Sequence, residues 1–260
     1  MKDNQQKFFR EIQVEFLIHE LKDPIAVIET GVRTLLEKRE KCGHLTPRQE
    51  KTLKRTLRNT QKAREMLYNL LEIGRSESNC FHCSFFQPAE VLYNVLADSL
   101  ETMNGNIFEQ FAGFEDKNQG TDFLSDCGIC MDIDPYTKDI RMFQDETKFR
   151  HITGNLIKNA FHHRKEKIEI KTGTDKKNLL VEVIDDGPGI APEYHEMVFQ
   201  RYIQVKEEKC SALQRKGHGL GLAGSLIIAR KLGGNIELES KKGKGATFRL
   251  ILPIKLENTD

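Results

Sequence analysis

Residues 183–190 read VIDDGPGI. An apolar run, NLLVEVI, leads into two acids and then two glycines separated by a proline, which predicts a strand ending in a tight turn. Glycine at 187 and 189 lets the main chain come close to a phosphate, where a side chain would stand in the way. A second glycine stretch, KGHGLGLA at 216–223, runs into a predicted helix. The first N–H groups of a helix have no partner within it and suit an anion. Upstream, GNLIKNA at 154–160 sets Asn155 and Asn159 four residues apart. On a helix both amides share one face, and their oxygens are hard ligands suited to Mg²⁺. Taken singly, each glycine stretch also describes an ordinary turn, and the asparagine pair a solvated helix face.

Outward from these stretches, the chain beyond about residue 80 reads as mixed α/β. FHCSFF, CGICMDID, DIRMFQD, NIELES and ATFRLILPI have strand character, and KIEIKTG with NLLVEVIDD predicts a hairpin. PAEVLYNVLADSL, ETKFRHITGNLIKNAFHH and LAGSLIIARKLG predict helices. The stretch from Met103 to Asp126 fits no strong template and is expected to be a long loop.

The N-terminal part is different. Val14, Ile18, Leu21, Ile25, Ile28, Val32 and Leu35 recur at steps of four and three, a heptad seam. After a break at KCGHLTP, Thr46, Pro47 and Gln49 form a helix-start signature. Leu53, Leu57, Met66, Leu67, Leu70 and Leu71 then line a second helix, ended by GRSESN. Two amphipathic helices with a short connection predict an antiparallel hairpin, and a second copy would cover its remaining apolar seam in a four-helix bundle. Ile18 lies on that seam, so His19 turns toward the flank, beside Glu20. Pro24 offers no N–H to the Glu20 carbonyl and is expected to loosen the helix there. By itself His19 is also an ordinary surface histidine.

The 260 residues carry a formal charge of +1, so a general attraction to nucleic acid or anionic membrane is not supported. No apolar run approaches a membrane span, and MKDNQQKFFR lacks the apolar centre of a signal peptide. A cytoplasmic location is expected. In that reducing setting the six cysteines are expected to be thiols or metal ligands.

FLIHELKDPI, GNLIKNA, VIDDGPGI, VFQRYIQV, KGHGLGLA and GKGATFRLILP come in one order. They resemble the H, N, first glycine, F and second glycine boxes and the closing strands of the sensor histidine kinases of two-component systems. The resemblance runs from about residue 12 to 254. It implies a multidomain α and α+β protein: a dimerisation and histidine-phosphotransfer hairpin at 1–78, a linker at 79–84, and a Bergerat-type α/β sandwich at 85–260. His19 would attack the γ-phosphate of ATP with Glu20 as base, and the phosphoryl group would pass to an aspartate of a response-regulator receiver domain. Asp185 would accept from the adenine amino group, and Asn155 and Asn159 would hold Mg²⁺. Gly187, Gly189, Ile190, Tyr202, Arg215, Lys216, Gly217, His218, Gly219, Leu220, Gly221, Leu222 and Thr247 would complete the ATP site. The chain would act as a homodimer, and with no sensor domain ahead of His19 its signal would come from a separate protein or from a longer parent. Gyrase, heat-shock and mismatch-repair ATPases share the nucleotide fold but have no such histidine on a helical hairpin. A neutral imidazole beside a carboxylate is a competent nucleophile near neutral pH.

The chain also departs from that family. Asp23 stands where threonine or asparagine usually helps to dephosphorylate the partner, so an anion opposes that step. His162 and His163 replace a lysine near the phosphates, with His162 the candidate contact, and His218 replaces a small residue between glycines. Cys80 with Cys83 and Cys127 with Cys130 form two CxxC pairs. Four such thiolates can hold zinc or an iron–sulfur cluster, although two cysteines three apart on a strand face opposite sides. The competing reading is packed, metal-free thiols, with Gly128 as the one residue permitting a turn inside the second pair.

Overall fold

A computed structural model describes residues 2–38, 43–77, 81–114, 116–175, 177–200 and 221–256, with the side chains of 2–19, 65, 68–77 and 117–118 outside the description. The chain divides into two compact units, Met1–Ser78 and Asn79–Asp260.

The first unit packs helix α1 (Lys2–Glu37) against α2 (Pro47–Glu77). Helix α1 continues through Pro24 without interruption. The expected helix start forms: Thr46 N–H and Oγ1 both donate to Gln49 Oε1 at 2.8 Å, and Gln49 N–H returns to Thr46 Oγ1 at 3.3 Å. Val32, Glu29 and Thr60 are buried between the helices. Glu29 Oε2 lies 2.7 Å from Arg64 Nη1 on the facing helix, and Glu29 Oε1 3.2 Å from Arg33 Nη2. Leu21, Val27, Ile28 and Leu35 stay exposed on the single hairpin.

The second unit is built on a five-stranded mixed sheet in the order β2-β4-β5-β7-β6, with β2 (Ile129–Ile133), β4 (Ile168–Asp175), β5 (Asn178–Asp185), β6 (Asn235–Ser240) and β7 (Ala246–Pro253). Only the β2–β4 pair is parallel. One residue in two along β5 and β7 is buried, Leu179, Val181 and Val183 against Phe248, Leu250 and Leu252. That face is covered by α3 (Pro88–Met103), α7 (Glu146–His163) and α8 (Gly221–Lys231), through Leu92, Leu96, Phe149, Ile152, Leu156 and Ile228. A separate two-stranded sheet pairs β1 (Cys83–Phe86) with β3 (Met142–Asp145), Cys83 opposite Asp145.

Asp145 ends β3 and caps α7. Its Oδ1 accepts from Lys148 N–H at 3.1 Å and its Oδ2 from His82 N–H at 3.0 Å.

The loop expected at Met103–Asp126 is corrected. It contains α4 (Gly105–Phe111) and α5 (Lys117–Asp126). Asn104 caps α4 by accepting from Ile107 N–H at 3.3 Å, Phe111 and Leu124 are buried, and Tyr93 packs on Phe111 with ring centroids 5.5 Å apart. A further short helix, α6 (Pro135–Lys138), was not foreseen.

Candidate functional site

The turn after β5 is the centre of the site. Asp185, the last residue of β5, is 5% exposed, and its Oδ1 accepts from Gly187 N–H at 2.9 Å. Burial pushes its carboxyl above the ordinary aspartate range, while N–H groups of Gly187 and Ala246 and the nearby His163 favour the ionised form. A Cβ on Gly187 would come within 2.6 Å of Asp185 Oδ1 and would press on the His163 carbonyl, so a side chain is excluded there. Gly189 adopts φ +68°.

Asp186, for which the sequence suggested no role, fastens this turn to the end of α7. Its carboxylate accepts from Lys165 N–H at 2.8 Å and Glu166 N–H at 3.1 Å. Desolvation opposes its charge, yet the N–H groups of Lys167, Glu166 and Lys165 prevail and hold the carboxyl below its usual range. The first glycine turn is thereby tied to the chain just past the asparagine helix.

Along α7, Asn155 and Asn159 are half-buried. Asn155 Nδ2 meets His151 Nε2 at 3.0 Å and donates to the hydroxyl of buried Ser225 on α8 at 3.1 Å. The Asn155 amide lies beside the first described residue of α8, its Cγ and Oδ1 both 3.7 Å from where a Cβ on Gly221 would lie. An amide oxygen is a hard donor of the kind that fits Mg²⁺. His151 and Ser225 escaped the sequence reading, although position 151 lies one helical turn before Asn155.

The other expected positions are placed as follows. Ile190 and Leu222 are half-buried, Gly221 opens α8, and His162 is exposed at the last turn of α7. Tyr202, Arg215, Lys216, Gly217, His218, Gly219 and Leu220 lie outside the described residues. Glu20 and Asp23 are exposed on α1, and His19 belongs to α1 with its side chain outside the described residues.

Thr247 is a correction. Asp185 pairs with Ala246 across β5 and β7, and Thr247 pairs with Ile184. Strand alternation therefore turns Thr247 to the sheet face opposite Asp185, where it lines a cavity of about 270 Å³ with Glu237, Glu239 and Arg249. Ala246 is the residue that stands beside the Asp185 carboxylate.

The four-cysteine metal site is a second correction. Cys83 lies on β1, Cys130 on β2 of the other sheet, and Cys127 in the turn after α5. These three are free thiols, and among the described residues no group of three or more His, Cys, Asp or Glu is placed to hold a metal ion. Cys80 lies outside the described residues. Gly128 does make the turn inside its pair, at φ +75°.

Two family models match the chain. The His Kinase A (phospho-acceptor) domain matches residues 9–79, and the Histidine kinase-, DNA gyrase B-, and HSP90-like ATPase matches residues 144–256. The chain is 27% identical over 237 residues to sensor histidine kinase MtrB of Mycobacterium leprae, covering 91% of this chain and 38% of that protein. It is 24% identical over 251 residues to signal transduction histidine-protein kinase ArlS of Staphylococcus aureus, covering 95% of this chain and 49% of that one. This chain thus spans less than half the length of these relatives. Among solved structures its fold resembles full-length ShkA in complex with AMPPNP, at a TM-score of 0.64 and 20% identity, over 93% of this chain and 45% of that one. It also resembles Acinetobacter baumannii histidine kinase AdeS, at a TM-score of 0.53 and 18% identity, over 91% of this chain and 98% of that one. Among the described residues no helix is long and apolar enough to cross a membrane.

Proposed function

Since this chain belongs to the sensor histidine kinases, we propose that it is an ATP-dependent autokinase of two-component signalling that phosphorylates His19. The phosphoryl group then passes to an aspartate of a response-regulator receiver domain. One observation carries this reading: a phospho-acceptor match that includes His19 is followed in the same chain by an ATPase match that includes buried Asp185.

In this reading the Asp185 carboxylate accepts from the adenine amino group, which selects adenine over guanine. Asn155 and Asn159 would hold Mg²⁺ through their amide oxygens, a reading supported by the engagement of the Asn155 amide nitrogen with His151 and Ser225. The ion would supply charge neutralisation for the phosphates. Gly187, Gly189, Ile190, Gly221 and Leu222 shape the pocket, and His162, Tyr202, Arg215, Lys216, Gly217, His218, Gly219 and Leu220 supply further contacts to ATP.

Neutral His19 attacks the γ-phosphorus. An N–P bond forms as the bond to the β,γ-bridging oxygen breaks, ADP leaves, and Glu20 takes the imidazole proton. Attack by the regulator's aspartate then breaks the N–P bond and regenerates the imidazole.

Exposed Leu21, Val27, Ile28 and Leu35 on α1 support pairing of two hairpins as a homodimer. The use of ATP as donor supports a cytoplasmic location for this part of the protein. The test is incubation with γ-labelled Mg-ATP. An acid-labile label at His19, absent from His19→Gln while nucleotide binding persists, is expected. Equal labelling of that variant would refute the assignment.

A further inference from the structure

Ser240, the last residue of β6, sits between the two loops that flank Asp185. Its hydroxyl accepts from Ile190 N–H at 2.8 Å and donates to the Gly245 carbonyl at 2.6 Å. Ile190 closes the first glycine turn, and Gly245 closes the turn from Lys241 that precedes β7. Main chain also meets main chain in this junction. Gly243 N–H donates to the Pro188 carbonyl. Gly189, at φ +68°, and Gly245, at φ +81°, have no room for a Cβ, which would overlap the carbonyls of Lys241 and Asp185 respectively.

A junction built from main chain alone has few ways to set its spacing. One side chain spans it here, using the donor and an acceptor of a single hydroxyl at once. Without that hydroxyl, the Ile190 N–H and the Gly245 carbonyl lose a shared partner in a half-buried place where water replaces it poorly. The Gly245 backbone in turn abuts Asp185, whose carboxylate takes the N–H of the next residue, Ala246.

We infer that Ser240 is a positioning residue for the nucleotide: its hydroxyl latches the first glycine turn to the 241–245 turn and so fixes the mouth of the pocket above Asp185. The inference rests on the reading of Asp185 as the adenine acceptor, and it makes Ser240 a determinant of adenine-nucleotide affinity and of the preference for adenine over guanine.

The experiment is calorimetric titration of the full chain with ADP and with GDP, for the wild type and for Ser240→Ala, Ser240→Cys, Ser240→Thr and Asp185→Asn. Ser240→Cys keeps the shape with a weak hydrogen-bonding group, and Ser240→Thr keeps the hydroxyl. Ala and Cys are expected to weaken ADP binding roughly fivefold to tenfold, the factor for about one net hydrogen bond. They should also narrow the ADP-to-GDP ratio, while Thr restores both toward wild type. An ADP affinity within twofold of wild type for Ala and Cys, alongside a strong loss in Asp185→Asn, would overturn the role of Ser240 alone. An unchanged ADP affinity in Asp185→Asn would instead overturn the pocket reading. Should Ser240→Ala fail to fold, Ser240→Cys decides on the same criterion.

Discussion

Asn155 and Ser225 meet between α7 and α8, the amide donating to a hydroxyl that is fully buried at 3.1 Å. The contact does two things at once. It joins the asparagine helix to α8, and it holds the nitrogen end of the amide against Ser225. Ser225→Ala removes the acceptor and leaves an N–H without its partner, at a cost of about 1–2 kcal/mol seen as a lower unfolding midpoint. The amide is then freer to turn over. Titration with ATP in Mg²⁺ and in EDTA should show the Mg²⁺-dependent gain in affinity shrinking; an undiminished gain would mean that the orientation is fixed elsewhere.

Asp185 separates affinity from stability. Burial raises its carboxyl above the ordinary range, so folding favours the protonated form. That contribution is present below the unfolded value and is lost as pH rises through the folded one, which leaves ionised Asp185 as a burden at neutral pH. Asp185→Asn keeps an oxygen for the Gly187 N–H and removes the charge. We expect the variant to bind ATP at least tenfold more weakly, the usual scale for losing a hydrogen bond to a charged group. Its unfolding midpoint at neutral pH should match or exceed that of the parent, with the advantage disappearing in acid. A variant less stable than the parent at neutral pH would contradict this.

Within the hairpin, Glu29 is 5% exposed and faces Arg64 at 2.7 Å. Arg64→Ala strands much of that carboxylate's charge. Because Arg64 is 45% exposed, solvent screens the pair and the cost falls to about 1–2 kcal/mol. Replacing both residues by Met should cost less than Arg64→Ala alone, because no buried charge is left behind. Chemical denaturation of the three variants orders them directly, and a double variant weaker than the single one would reverse the argument.

In the proposed function, exposed Asp23 bears on hydrolysis of the regulator's aspartyl phosphate. Four residues after the histidine, an anion would repel the phosphorylated aspartate of the proposed partner. Dephosphorylation of a cognate regulator is expected to be slow, and Asp23→Thr should raise it roughly fivefold or more, the factor for ~1 kcal/mol of like-charge repulsion. Fast dephosphorylation by the unmodified chain would be the contrary result.

Local signals carried the sequence reading where the physics was local. The Thr46–Gln49 helix start, the β4–β5 hairpin and the turn at Asp185 are each specified by residues a few positions apart, and each forms. The helices at Gly105–Phe111 and Lys117–Asp126 were illegible for the opposite reason. Helices of 7 and 10 residues are marginal on propensity, and Gly105, Gly113 and Gly120 punctuate the stretch. What holds them is long-range: Phe111 against Tyr93, and Gly120 leaving room for the Phe111 ring. Thr247 failed similarly, since which residue faces Asp185 depends on the register of β7 against β5, made across more than sixty positions. The cysteine pairs admitted a metal site beside the reading as packed thiols because spacing is visible in sequence, whereas the assignment of Cys83 and Cys130 to different sheets is not.

The strand order has a consequence for how this unit comes into being. Strand β7 follows all the other strands along the chain, yet it lies inside the sheet, with β5 on one side and β6 on the other. During synthesis β6 therefore emerges with no neighbour to pair with, and β5 waits with one edge bare. The Ala246 N–H that meets Asp185 arrives with the same late strand. Cooperative closure of the nucleotide pocket is thus deferred until β7 leaves the ribosome, and until then the nascent chain exposes two unpaired strand edges of the kind that chaperones shield.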